Sequence, residues 1–152
     1  MATDTASLTG WRRGVDRAFV YLMTLFFIAV LVQVFLAGVG VFGDHVAKVE
    51  DASSFDAHRN LGFILGGVAV ILFILAVLAR ATRATWIGAL VLALLAFVAQ
   101  SALAGGGESN KWVGGLHALD GIIILLLAGW LTGTGHRRMA AERRATAPTP
   151  AT

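Results

Sequence analysis

Two of the four histidines in this chain recur in one pattern: His58 and His117 each open a long apolar run and are each followed four residues later by glycine, Gly62 and Gly121. A neutral imidazole binds a metal through one ring nitrogen. Two of them facing each other across a helical bundle supply what a six-coordinate haem iron needs, one axial ligand above the porphyrin plane and one below. Helical spacing puts Gly62 and Gly66 on the face of His58, and Gly121 on the face of His117. Bare backbone there would let a flat macrocycle lie close. The same glycines would equally serve close helix packing, which is common in membranes.

Other polar residues gather around this pair. Gln33 and Gln100 stand at matching places near the ends of the preceding apolar runs, where they could fix the histidines or a substrate near the cofactor, or act only as polar glue between helices. Arg59 follows His58 directly; its guanidinium could bind a haem propionate in bidentate fashion or reach a lipid headgroup. Asp120 lies three residues after His117 and is the sole charge inside the apolar runs. It could pair with Arg59, hydrogen-bond a histidine, relay a proton to a quinone, or serve as an interfacial carboxylate favoured by the helix dipole. His45, in a loop without a counterpart, and His136, at the start of a basic tail, read as hydrogen-bonded or interfacial side chains.

The elements that must position these residues are membrane helices. Of 152 residues, 57% are hydrophobic and 14% charged, with a mean hydropathy of +0.78; soluble domains run at about 45–50% and 25%. Four apolar runs, Ala18–Phe42, Leu61–Ala79, Ala84–Ala104 and Gly114–Gly133, each approach the ~20 residues that cross a bilayer as a helix. None alternates as a barrel strand would. The expected fold is an all-α integral membrane bundle with helices at about 18–42, 57–79, 84–104 and 114–133. A segment 1–17 precedes it, and a basic, flexible tail, 134–152, follows. The first run is too long for a cleavable signal and is expected to remain.

Nine of the twelve basic residues flank the runs on one side: Arg12, Arg13, Arg17, Arg80, Arg83, Arg137, Arg138, Arg143 and Arg144. The positive-inside rule then puts both termini in the cytoplasm, in a multi-pass protein of the cell membrane, with Trp11, Trp86, Trp130 and Trp112 as interfacial anchors. Basic charge spent at membrane edges leaves no case for nucleic acid. Zero cysteines exclude disulfides, thiolate catalysis, iron–sulfur clusters and thiolate zinc sites.

Sliding one half along the other exposes an internal repeat. Val32 to Gly40 matches Ala99 to Gly107 at five of nine positions, including Gln33 with Gln100, and in each half an outer loop leads to the His-x-x-x-Gly run. The bundle then consists of two tandem αα-hairpins related by a pseudo-two-fold axis along the membrane normal. His58 and His117 come to equivalent depths near the outer face, on diagonal helices.

Phe55-Asp56-Ala57-His58-Arg59-Asn60-Leu61-Gly62, Leu116-His117-Ala118-Leu119-Asp120 and the Gln-x-x-Leu-Ala-Gly segments resemble a family of small actinobacterial four-helix membrane proteins of unknown function, over Arg12–Gly133. They also resemble, more weakly, one four-helix half of haem A synthase. That second resemblance implies His58 and His117 as axial haem ligands on the outer side. The chain departs from it in having one bundle and no glutamate within its spans, which argues against oxygenase chemistry.

The leading expectation is a haem-b-binding, cytochrome-like protein. It would carry electrons, with quinone a further candidate ligand, inside a larger redox complex or a homo-oligomer. The alternatives are a colourless structural or accessory subunit and a small oligomeric transporter. A copper or zinc site drawn from His45, His58 and His117 with Asp44, Asp56 or Asp120 ranks below haem. No phosphate-cradling or His-Glu-x-x-His motif is present, so hydrolase or transferase chemistry is not expected.

Overall fold

The computed structural model describes residues 10–46 and 55–146, with side chains for 10–43 and 55–146. Among these residues the chain is entirely helical. The first helix runs Gly10–Val46 and the second Asp56–Leu78. The third begins as α-helix over Arg83–Ala93, widens into a π-helical turn over Leu94–Ala99 and resumes over Gln100–Gly107. The fourth runs Lys111–Ala145. All four are long and apolar enough to cross a membrane.

Each helix buries one narrow stripe at helical spacing. On the first it is Asp16, Phe19, Val20, Met23, Phe26 and Val30; on the fourth it is Asp120, Ile124, Ala128, Leu131, Gly135 and Met139. The second and third helices contribute mainly small residues, including Ala69, Ala76, Ala89, Ala93 and Ala96. Lipid offers no hydrophobic drive for helix association, so close approach over small residues has to supply it. The opposite faces carry exposed Leu25, Phe35, Phe63, Ile64, Phe97 and Leu126, which only an apolar solvent would accommodate.

Sequential neighbours pack against each other and the fourth helix closes the ring on the first, whereas diagonal helices do not approach backbone to backbone. Short turns enforce the antiparallel order. At Leu78–Arg83 the second helix ends in a Schellman motif: Ala81 N–H reaches Ala76 O and Arg80 N–H reaches Val77 O, with Arg80 left-handed at φ 53°. Thr82 then caps the third helix by accepting from Thr85 N–H, and Asn110 caps the fourth by accepting from Trp112 N–H.

The structure differs from the sequence expectation at the helix ends. The first helix already begins at Gly10, and the fourth continues to Ala145, through residues expected to form a flexible tail. The stretch Arg137–Ala145 is rich in strong helix formers. It is also anchored, because Met139 is buried and Arg138 forms an ion pair with Asp16 of the first helix. Expected mobility at residues 1–9 and 147–152, and the greater part of the acidic outer loop, lie outside the described residues.

Candidate functional site

The His-x-x-x-Gly pattern has a local cause. A helical carbonyl points toward the residue four positions on, and the Cβ of that residue tilts back over it. A glycine there leaves the carbonyl open to a second donor. Gln33 uses the opening on the second helix: its Nε2 donates to His58 O at 2.7 Å, and a Cβ on Gly62 would stand 3.0 Å from that amide nitrogen. Gln100 does the same on the fourth helix, donating to His117 O at 3.1 Å, where a Cβ on Gly121 would stand 3.4 Å away.

Each histidine returns the bond. His58 Nδ1 lies 3.1 Å from the backbone carbonyl of Gln33, and His117 Nδ1 lies 3.3 Å from that of Gln100. A carbonyl oxygen only accepts, so both imidazoles carry their proton on Nδ1. That tautomer leaves the lone pair on Nε2, the arrangement in which a histidine ligates a metal while its other nitrogen is held by backbone. Two reciprocal Gln–His clasps therefore tie the first helix to the second and the third to the fourth.

The two rings then meet across the bundle. Their centroids are 6.1 Å apart with planes at 72°, bridging helices whose backbones do not touch. This is an edge-to-face pair of neutral imidazoles, a donor type that can hold a haem iron. The glycines do not form the open shelf expected for a macrocycle, since glutamine amides fill the space over Gly62 and Gly121. Gly66 instead abuts Ala96 O and the Phe97 ring.

The π-helical turn prepares this site from the third helix. Leu92, Ala96 and Gln100 are four residues apart, a spacing that would drift around an α-helix. The extra residue taken up by the wide turn keeps Gln100 inward behind the buried Leu92 and Ala96.

The halves diverge beyond the clasps. Phe55 covers Gly40 and presents its ring edge-on to His58 at 6.1 Å, whereas the corresponding contact in the second half joins Gly107 to Gly114. Asp120 is buried, with 6% of its surface exposed, and its Oδ2 has no hydrogen-bond partner among the described residues. Arg59 does not meet it; Arg59 Nη1 lies 3.4 Å from Asp56 Oδ1, both side chains being more than half exposed. Among the described residues no three of His, Cys, Asp or Glu gather as a metal-holding group, which leaves the copper or zinc alternative without a ligand set there. The His45 side chain lies outside the described residues.

Sequence reasoning missed the buried Asp16 and its ion pair with Arg138. The signal was present, since Asp16 sits three and four residues before Phe19 and Val20 on one stripe. His136, read from the sequence as a hydrogen-bonded or interfacial side chain, bonds Thr24 Oγ1 at 2.9 Å, a partner that the sequence did not name.

Among the described residues these features make an all-helical bundle whose four helices are each long and apolar enough to cross a membrane, as in a multi-pass membrane protein, with a polar His–Gln layer across it. Residues 33–106, just under half of the chain, match the model of a family described as "Family of unknown function (DUF6220)". The matched stretch includes Gln33, His58 and Gln100 and stops short of His117. No curated protein and no solved structure matches the chain.

Proposed function

We propose that this protein is a b-type membrane cytochrome in which His58 and His117 would hold the iron of one haem, and that it carries electrons within a larger redox assembly or a homo-oligomer. The observation behind this reading is the pair of histidines held through Nδ1 on the Gln33 and Gln100 carbonyls, with Nε2 bearing the lone pair on rings 6.1 Å apart. When bound, the haem would supply reversible one-electron chemistry at its iron.

The chain's own residues do the rest. The Gln33 and Gln100 carbonyls fix tautomer and ring orientation and raise the basicity of the ligating nitrogens. Asp120 offers a buried carboxylate oxygen, three residues from His117, that can take up or release a proton, and a quinol is the donor class suited to that. In this reading the two halves are parallel hairpin repeats and both termini face the cytoplasm of the cell membrane, the orientation that the basic flanks favour. Arg59 is left to the outer surface, able to exchange Asp56 for a propionate.

A second reading has an observation of its own. The glutamine amides that fill the space over Gly62 and Gly121 would clasp helices with no cofactor present, as expected of a structural subunit. A pyridine haemochrome assay on the detergent-purified protein separates the two. About one haem b per chain supports the cytochrome. A colourless protein that also refuses added haemin contradicts it and leaves the clasp.

A further inference from the structure

At the end of the bundle that carries residues 10 and 146, the first and fourth helices frame an open groove of about 620 Å³ lined by Tyr21, His136, Met139, Ala140, Arg143 and Arg144. The five residues from the fourth helix follow its i, i+3, i+4, i+7, i+8 spacing and so form one continuous face. That face is about 12 Å long at 1.5 Å per residue. Arg138 is neutralised by Asp16, whereas Arg143 and Arg144 form no ion pair among the described residues.

The groove is also amphipathic in the direction a lipid needs. Its floor is the buried Met139, and from Tyr21 the exposed flank of the first helix continues through Leu25 and Ile28, each one turn deeper into the apolar run. Thr24 Oγ1 spends its proton on Val20 O, so it must accept from His136 Nε2. His136 is thereby pinned at the groove's apolar end, beside the Tyr21 ring at 6.5 Å.

We propose that this groove binds one anionic phospholipid from the adjoining leaflet, its phosphate against Arg143 and Arg144 and an acyl chain along Tyr21, Leu25 and Ile28. Basic pockets between helix ends suit such headgroups through charge together with hydrogen bonding. The inference is independent of the haem reading.

The test is native mass spectrometry of the detergent-purified protein titrated with phosphatidylglycerol, phosphatidylcholine or glycerol phosphate. The expected result is one retained phosphatidylglycerol, little phosphatidylcholine and no glycerol phosphate. The double variant Arg143→Ala/Arg144→Ala should lower retention about tenfold. Arg13→Ala/Arg137→Ala, which removes the same charge outside the groove, should retain it. Tyr21→Ala should weaken retention while leaving both arginines in place. Equal loss in the two double variants would reduce the site to general surface charge. Equal phosphatidylcholine retention, or binding of glycerol phosphate, would overturn the lipid assignment.

Discussion

At the level of single residues, the most telling position is a glycine. A Cβ on Gly62 would stand 3.0 Å from the Gln33 amide that reaches the His58 carbonyl, whereas Gly67, one position beyond Gly66, has open space where a Cβ would go. Gly62→Ala should crowd the amide, and weakening that hydrogen bond, worth about 1 kcal/mol, offsets the helix-propensity gain of alanine, so the melting temperature in detergent should not rise. Gly67→Ala should leave it unchanged or raise it slightly, since alanine is the better helix former. A thermal-shift comparison of the two variants checks both signs. The types and spacing of His58, His117, Gln33, Gln100, Gly62 and Gly121 were legible in the sequence because the repeat displayed them twice. The reason for the glycines was not, since the partners are backbone carbonyls, which every residue has and no sequence pattern marks.

At the level of elements, hydropathy located all four helices, met the second and the start of the third within one residue, and fell short of the ends of the first and fourth. Apolar runs report the hydrocarbon thickness, whereas the helices persist beyond it wherever propensity and an anchor permit. The anchor at the base of the bundle is Asp16 with Arg138. Asp16 is the more deeply buried partner, its side chain 5% exposed against 25% for Arg138. Arg138→Ala, which strands the carboxylate, should therefore cost about 3 kcal/mol, and Asp16→Asn should cost less. Chemical or thermal unfolding in one detergent ranks them, and the opposite order would contradict the anchor. The second turn makes a prediction of the other sign. Arg80 occupies a left-handed position at φ 53°, where L-residues lose about 1 kcal/mol relative to glycine. Arg80→Gly should raise the melting temperature.

At the level of the whole molecule, the ring of four antiparallel helices places the Schellman turn and both ends of the described chain at one pole of the bundle, and the His–Gln layer toward the other. With no native cysteine, the orientation is open to single-cysteine labelling without background. Ser109→Cys should react with a membrane-impermeant maleimide on intact cells, and Thr146→Cys only after lysis. The reverse pattern would invert the proposed topology. The π-helical turn could not be read ahead of the structure, because four-residue steps such as Leu92, Ala96 and Gln100 fit a loosely packed α-helix equally well. Nor could the divergence of the halves, where Phe55 in one faces what Gly114 leaves bare in the other.

The claim on which the account turns is that the two imidazoles share one iron, and the most direct measurement is the dithionite-reduced minus air-oxidised visible spectrum of the purified protein and three variants. The account predicts sharp α and Soret bands in the parent and in His136→Ala, with the low-spin signature lost in His58→Ala and in His117→Ala alike. An unchanged low-spin spectrum in either of those two variants, or no bands in the parent after haemin is supplied, would contradict it.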